Sequence, residues 1–356
     1  MAALPEKPEL QTVKAIYDAW AKRNDEPPRA YLGGSVIGRE CERALWYAFR
    51  WCAHEKFDGR MLRLFDRGQR EEAVFVADLR AIGAKVIEVD PATGKQFRFT
   101  AVHGHAGGSM DAVAHQLPDA PKTWHVCEFK THNAKSFTAL VNDGVQKAKP
   151  EHYAQMQLYM RWAQLTRALY MAVNKDTDEL YAERIHADAE FAERLEAKAE
   201  RVIFAPEPPQ GISTDPAFYK CKFFCPASAV CHTAKLPPVS CRTCLHATPE
   251  RDGDGRWSCA KWGADIPADA QCAGCEHHRF IPALLKRWGD ATDASEAEGW
   301  VEYTAPDGYV FRNGAPGPNS FTSSELAGAG NPATLRDGFV AQVRAEFGAK
   351  IIGEAA

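Results

Sequence analysis

Between Gly108 and Tyr159 the chain carries three short phrases that decide its reading: GSMDAV (108–113), WHVCEFKTH (124–132) and PEHYAQMQLY (150–159). Side chains alternate along an extended strand, so VCEFK puts Glu128 and Lys130 on one face and Cys127 and Phe129 on the other. GSMDAVAHQL reads as a second strand. The turn-rich PDAPK (118–122) between them allows an antiparallel return that sets Asp111 opposite Glu128. Two carboxylates and an ammonium then meet on a solvent-filled face. Such an arrangement suits a hard divalent cation, Mg2+ or Mn2+, which takes oxygen ligands and keeps waters that can serve as nucleophiles.

This Asp111, Glu128-x-Lys130 pattern resembles the PD-(D/E)xK nuclease superfamily. Gln155 and Tyr159, in the QMQLY of what reads as an amphipathic helix, match the QxxxY motif of its RecB-type branch. In that branch a Gly-x-x-x-Glu on a helix ahead of the core lends a further acid to the metal, and Gly68 to Glu72 fits it. The resemblance implies an α/β fold, with a restriction-endonuclease-like mixed central sheet flanked by helices. It also implies that Asp111, Glu128 and Glu72, with the Phe129 carbonyl, hold Mg2+ or Mn2+. Lys130 then positions or deprotonates the attacking water, and Gln155 and Tyr159 orient Lys130 or the scissile strand.

The rest of the chain fits that core. Leu10 to Trp20 and Met61 to Ile82 read as helices, KVIEVD (85–90) and QFRFTAV (96–102) as strands, and AKSFTALVND (134–143) as a helix. RALYMAVNK (167–175) and ELYAERIHA (179–187) read as strands, and ADAEFAERLEAKAERVIF (187–204) as an exposed charged helix. At 356 residues, 45% hydrophobic and 25% charged, the chain is long enough for more than one domain. A formal net charge of -4 gives no global field for nucleic acid, so DNA contact has to come from local basic surface such as Arg39, Arg43, Arg50, Lys56, Arg60, Arg63, Arg67 and Arg70. No apolar stretch reaches the length of a membrane span and MAALPEKPEL (1–10) is no leader, which reads as a cytoplasmic protein with no membrane partner.

Eleven cysteines in a reducing compartment argue for metal sites rather than disulfides. FYKCKFFCPASAVCH (218–232) sets Cys221, Cys225 and Cys231 in a Cys-x3-Cys-x5-Cys run, one thiolate short of a cluster. CERALWY (41–47) resembles the cysteine-bearing helix that opens iron–sulfur RecB-type exonucleases. That likeness makes Cys41 the fourth ligand of a [4Fe-4S] cluster, with zinc on the same four residues as the alternative. Cys241-x2-Cys244, Cys259 and Cys272-x2-Cys275, with His277 and His278, offer more ligands than one Zn2+ needs. Cys241, Cys244 and Cys275 are the first choices, and Cys259 and Cys272 compete for the fourth place ahead of His278; a second iron–sulfur centre is the alternative. Cys52 and Cys127 read as ordinary buried residues.

Three segments result: 1–236, a nuclease domain closed by the iron–sulfur cluster; 237–284, a zinc-binding segment; and 285–356, a small module. That module has a hairpin turned at PDG (306–308), an amphipathic terminal helix, and Tyr303, Tyr309, Phe311 and Arg312 read as packing rather than contact residues. By resemblance the chain is a Mg2+-dependent DNA exonuclease of phage or prophage recombination, acting on linear DNA ends beside a single-strand annealing protein in the bacterial host cytoplasm. A CRISPR-adaptation end-trimming nuclease, a non-catalytic DNA-end-binding protein and a structural metal-cluster adaptor are the other readings.

Overall fold

A five-stranded sheet carries the acids. The computed structural model describes residues 11–23, 28–53 and 56–353, so Leu10 of the first helical stripe lies outside the described residues. Contacts divide the chain into one unit of residues 1–27, 55–99 and 108–193 and a second of residues 28–54, 100–107 and 194–356.

In the first unit, α1 (Gln11–Ala21) and α2 (Gly59–Ala81) precede β1 (Lys85–Ile87), β2 (Ala112–His115) and β3 (His125–His132). Then come α3 (Ala134–Ala148), α4 (Pro150–Trp162), β4 (Arg167–Asn174) and β5 (Leu180–His186). The strands lie in chain order, β1 to β5. Pairing is antiparallel except between β3 and β4, which run parallel and are joined through α3 and α4. A parallel pair cannot be closed by a tight turn, so two helices fall between β3 and β4.

Asp58 caps α2, its side chain accepting the Met61 N–H at 2.7 Å. Gly59 follows because α1 runs against it: a Cβ there would lie 2.0 Å from the Tyr17 carbonyl oxygen. Phe75, Val76 and Leu79 of α2 pack with Cys127 and Phe129 in one buried cluster, Phe75 stacking on Phe129 at 5.1 Å between ring centroids. The alternation expected for β3 therefore holds. Burying each phenylalanine side chain contributes about 2–3 kcal/mol toward fixing the strand.

Two expectations change here. GSMDAVAHQL is not one strand: Ala106–Ser109 and β2 are separate strands in different sheets, divided at Met110 and Asp111. The helix α4 is not amphipathic, since Ala154 through Met160 are all buried. Its polar Gln157 is tolerated there because it donates to the His186 carbonyl at 2.9 Å and accepts from the Asp188 N–H at 2.7 Å.

The second unit is built from small sheets. Ala247–Pro249, Trp257–Cys259 and Ala264–Asp265 form one, while Asp290–Ser295, Trp300–Thr304, Val310–Asn313 and Ser320–Phe321 form another. The PDG hairpin turns as read, and Tyr303 and Phe311 are fully buried packing residues. The helix Gly338–Phe347 buries none of its residues, so its pattern is not that of a packed amphipathic helix. Conversely Ala189–Phe204, read as an exposed helix, buries Ala192, Leu195, Ala199, Val202 and Ile203 along one stripe.

Arg50, counted above as basic surface, is only 4% exposed. It lies with the wholly buried Arg242 against Trp257, at 4.9 Å and 4.6 Å from the ring centroid. Arg242 donates to the Phe49 carbonyl (2.9 Å), the Ala30 carbonyl (2.7 Å) and Gln271 (2.9 Å), tying segments distant in sequence. Burial, and then Arg50 beside it, pull the Arg242 guanidinium down to about 9.

Candidate active site

The β2–β3 register pairs Ala112 with Cys127, which brings Asp111, just ahead of β2, level with Glu128. An Asp111 carboxylate oxygen accepts the Phe129 N–H at 2.9 Å, so the backbone of β3 itself aims this acid. Glu128 is fully buried and ion-paired with Lys130, whose ammonium also donates to the Phe129 carbonyl at 3.1 Å. That burial departs from the solvent-filled face expected for it. Gln155 Nε2 donates to the other Glu128 oxygen at 3.0 Å. Gln155 thus orients Glu128, not Lys130.

Tyr159, one turn further along α4, is 2% exposed and packs on the chain leading into Asp111: a Cβ on Gly108 would stand 2.4 Å from its hydroxyl. Its rings neighbours are Phe99 and Trp162, at 5.6 Å and 5.8 Å. Glu72 projects from α2, half-buried, close enough to Asp111 and Lys130 for both to shift it.

The electrostatics are those of surplus negative charge. Burial first, then Asp111, push Glu72 up to about 7, with Lys130 opposing. Glu128 is raised by burial and by Asp111 and Glu72, against the pull of Lys130. Burial disfavours the Lys130 ammonium, yet Glu128 and Asp111 outweigh it and the net shift is upward. Three carboxylates act electrostatically on one lysine, and oxygen donors of this kind are what a hard divalent cation takes.

Two thiol groupings gather in the second unit. Cys41, Cys221, Cys225 and Cys231 are electrostatic neighbours, each of Cys221 and Cys225 being raised first by burial and then by the other thiols. Cys241, Cys244, Cys259 and Cys275 line one cavity of about 460 Å3, and Cys241 is raised to about 11 by burial and by the other three. Cys272 is exposed and does not line that cavity. His278 Nε2 is engaged by the Ser240 carbonyl (3.0 Å) and the Thr243 hydroxyl (3.2 Å). Of the two candidates for a fourth place, Cys259 shares the cavity with Cys241, Cys244 and Cys275, and Cys272 does not. Among the described residues no group of three or more His, Cys, Asp or Glu side chains is drawn close enough together to hold a metal ion. Cys52 and Cys127 are fully buried, as read.

Sequence reasoning missed a polar cluster behind the acids, comprising His132, Ser136, Lys149, His152 and Tyr170. The available signals were small. His132 continues the Glu128 and Lys130 face of β3, and His152 precedes Gln155 by one helical turn.

No protein-family model matches the sequence. No curated protein matches it significantly. Among solved structures, the chain is similar to SSO0001 at 14% identity and a TM-score of 0.38, over 62% of this chain and 96% of that one. It is also similar to an alkaline exonuclease, LHK-Exo, from Laribacter hongkongensis, at 16% identity and a TM-score of 0.34 over 53% and 90% of the two chains. The same exonuclease in complex with dAMP gives 16% identity and a TM-score of 0.35, over 52% and 90%. Likenesses this distant assign no residue. No helix among the described residues is long and apolar enough to cross a membrane.

Proposed function

We propose that this protein is a metal-dependent deoxyribonuclease that hydrolyses DNA from its ends, within phage or prophage recombination in a bacterial cytoplasm. The observation that carries this reading is the gathering of Asp111, Glu128 and Glu72 around Lys130, with Glu128 held by Gln155. Asp111, Glu128 and Glu72 would hold Mg2+ or Mn2+, which supplies Lewis acidity and a bound water of lowered pKa. Lys130, kept protonated by its acid neighbours, acts as a cation that neutralises charge building on the phosphate oxygens. Gln155 fixes the Glu128 carboxylate, the Phe129 N–H fixes Asp111, and Tyr159 steadies the backbone entering Asp111 at Gly108.

The cysteines play a structural part in this reading. Cys41, Cys221, Cys225 and Cys231 would hold a [4Fe-4S] cluster, and Cys241, Cys244, Cys259 and Cys275 a Zn2+. A single-strand annealing protein is the companion expected of such an exonuclease.

Incubating the purified chain with Mg2+ and either linear or covalently closed duplex DNA tests the activity. Linear DNA should disappear and closed circles survive. Absence of cleavage of either, with Mg2+ and with Mn2+, sinks the proposal. Iron and zinc analysis of anaerobically prepared wild type and Cys41→Ala tests the clusters: the variant should lose iron and keep zinc, and a wild type without iron removes the iron–sulfur claim.

A further inference from the structure

The face of β3 that carries Glu128 and Lys130 continues to His132, and the parallel register places Tyr170 of β4 directly beside Glu128. Tyr170 is wholly buried and His132 is 7% exposed. The Tyr170 hydroxyl lies 2.9 Å from His132 Nε2 and 2.9 Å from His152 Nδ1 on α4. On its other side His132 Nδ1 meets the Ser136 hydroxyl of α3 at 3.1 Å, and Ser136 in turn accepts from Lys149 Nζ at 2.5 Å.

These contacts have one consistent direction. An ammonium can only donate, so Lys149 donates to Ser136 Oγ and the serine hydroxyl hydrogen is turned to His132 Nδ1. His132 then carries its proton on Nε2 and donates to Tyr170, and the Tyr170 O–H donates to His152 Nδ1. Both rings must be neutral for this, and burial does lower His132 to about 4 and His152 to about 3, with Lys149 and Lys130 assisting. The chain of bonds touches β3, α3, α4 and β4. It ends on His152, one turn before the Gln155 that grips Glu128.

We propose that His132, Tyr170 and His152 are positioning residues, with the Tyr170 hydroxyl as the pivot that holds α4 at the distance from β3 at which Gln155 reaches Glu128. The proposal rests on the nuclease reading for its kinetic consequence but not for its geometric one. Neutrality matters because the groups facing the two rings are Lys130 and Lys149, together with Ser136 and Tyr170. A charged ring there would repel both lysines. Groups that support an acid ligand through hydrogen bonds typically contribute 10–100-fold to metal affinity or activity.

The test is steady-state cleavage of linear DNA by full-length Tyr170→Phe, His152→Asn and His152→Leu, with Mn2+ affinity measured separately in the absence of DNA. Tyr170→Phe and His152→Leu should each lower kcat by about 10–100-fold at nearly unchanged KM and weaken Mn2+ binding by about tenfold. Asn carries an acceptor where the imidazole has Nδ1, so His152→Asn should recover most of both. Wild-type kcat and Mn2+ affinity in Tyr170→Phe and His152→Leu would overturn the proposal, as would equal losses in the Asn and Leu variants accompanied by a lowered Tm, which packing alone explains. If the wild type cuts no DNA the nuclease reading fails by itself, and the Mn2+ affinities of the three variants still decide for or against the pivot.

Discussion

The acid cluster of the first unit and the thiol clusters of the second are assembled by different means. Asp111 and Glu128 are made level by strand register and then gripped by a backbone N–H and by Gln155. Their geometry is a property of the sheet. The thiols lie on short helices, turns and three-residue strands, such as Tyr219–Phe224, Cys241–Thr243 and Trp257–Cys259. Small elements of this kind gain much of their order from a bound metal, whose binding free energy is then folding free energy. In the proposed reading, chemistry would sit on the sheet and the cysteines would close the smaller elements around a metal.

If that contrast is right, removing charge from the acid cluster should abolish chemistry and leave the fold. Asp111→Asn, Glu128→Gln and Lys130→Met should each lower kcat for DNA hydrolysis by at least about 1,000-fold, the scale of losing a group that acts on the reacting atoms. Glu128→Gln is preferred to alanine because this side chain is buried, and the amide fills the site and keeps an oxygen acceptor for Lys130. Thermal melting should place Asp111→Asn within a few degrees of wild type, while Glu128→Gln and Lys130→Met, which break the buried pair, should melt lower but still cooperatively. Near wild-type cleavage in every variant would remove the site assignment, whereas collapse of the fold would show that the cluster is structural.

The second unit should respond in the opposite way. Arg242→Leu removes a wholly buried guanidinium that bonds three partners and stacks on Trp51 at 4.0 Å. Leaving buried acceptors such as the Phe49 carbonyl without a donor typically costs about 1–3 kcal/mol. Urea unfolding should show this loss, and a variant as stable as wild type would show that the tie between Ala30, Phe49 and Gln271 is incidental.

The same contrast governs what could be read from the sequence. A period of two on VCEFK and a turn at PDAPK are local, so the facing of Glu128 with Lys130 and the level of Asp111 were legible. The QxxxY spacing placed Gln155 and Tyr159 on one helical face, but a face does not say which partner it meets, and Gln155 proved to hold Glu128. Burial of Ala154 through Met160 all round α4 was not legible because Gln157 is satisfied by bonds to His186 and Asp188 that no periodicity encodes. Arg50 read as surface for the same reason: the aromatic stack that buries it brings Trp257 and Arg242 from some 200 residues away. The His132, Tyr170 and His152 bonds join three separate elements, and no one stretch contains the pattern.

The smallest expected effect separates charge from geometry within the acid cluster itself. Glu72 is raised to about 7, with an ordinary value of 4.5, chiefly by burial and by Asp111. Between those values the folded protein binds more protons than the unfolded chain, so this group's contribution to stability falls as pH rises from about 4.5 to about 7 and stays low above it. Without metal, Glu72→Gln should therefore raise Tm at pH 8 by about 1–2 °C, as expected for about 1 kcal/mol in a chain of this size once solvent screening at a half-buried site is allowed for. At pH 5, where the wild-type carboxyl is already protonated, the two proteins should melt together. A divalent cation binds the ionised acids, so Mg2+ should stabilise wild type more at pH 8 than at pH 5 and stabilise Glu72→Gln less than wild type. Equal melting of the two proteins at both pH values, with equal response to Mg2+, would remove Glu72 from the site and leave Asp111, Glu128 and Lys130 to stand alone.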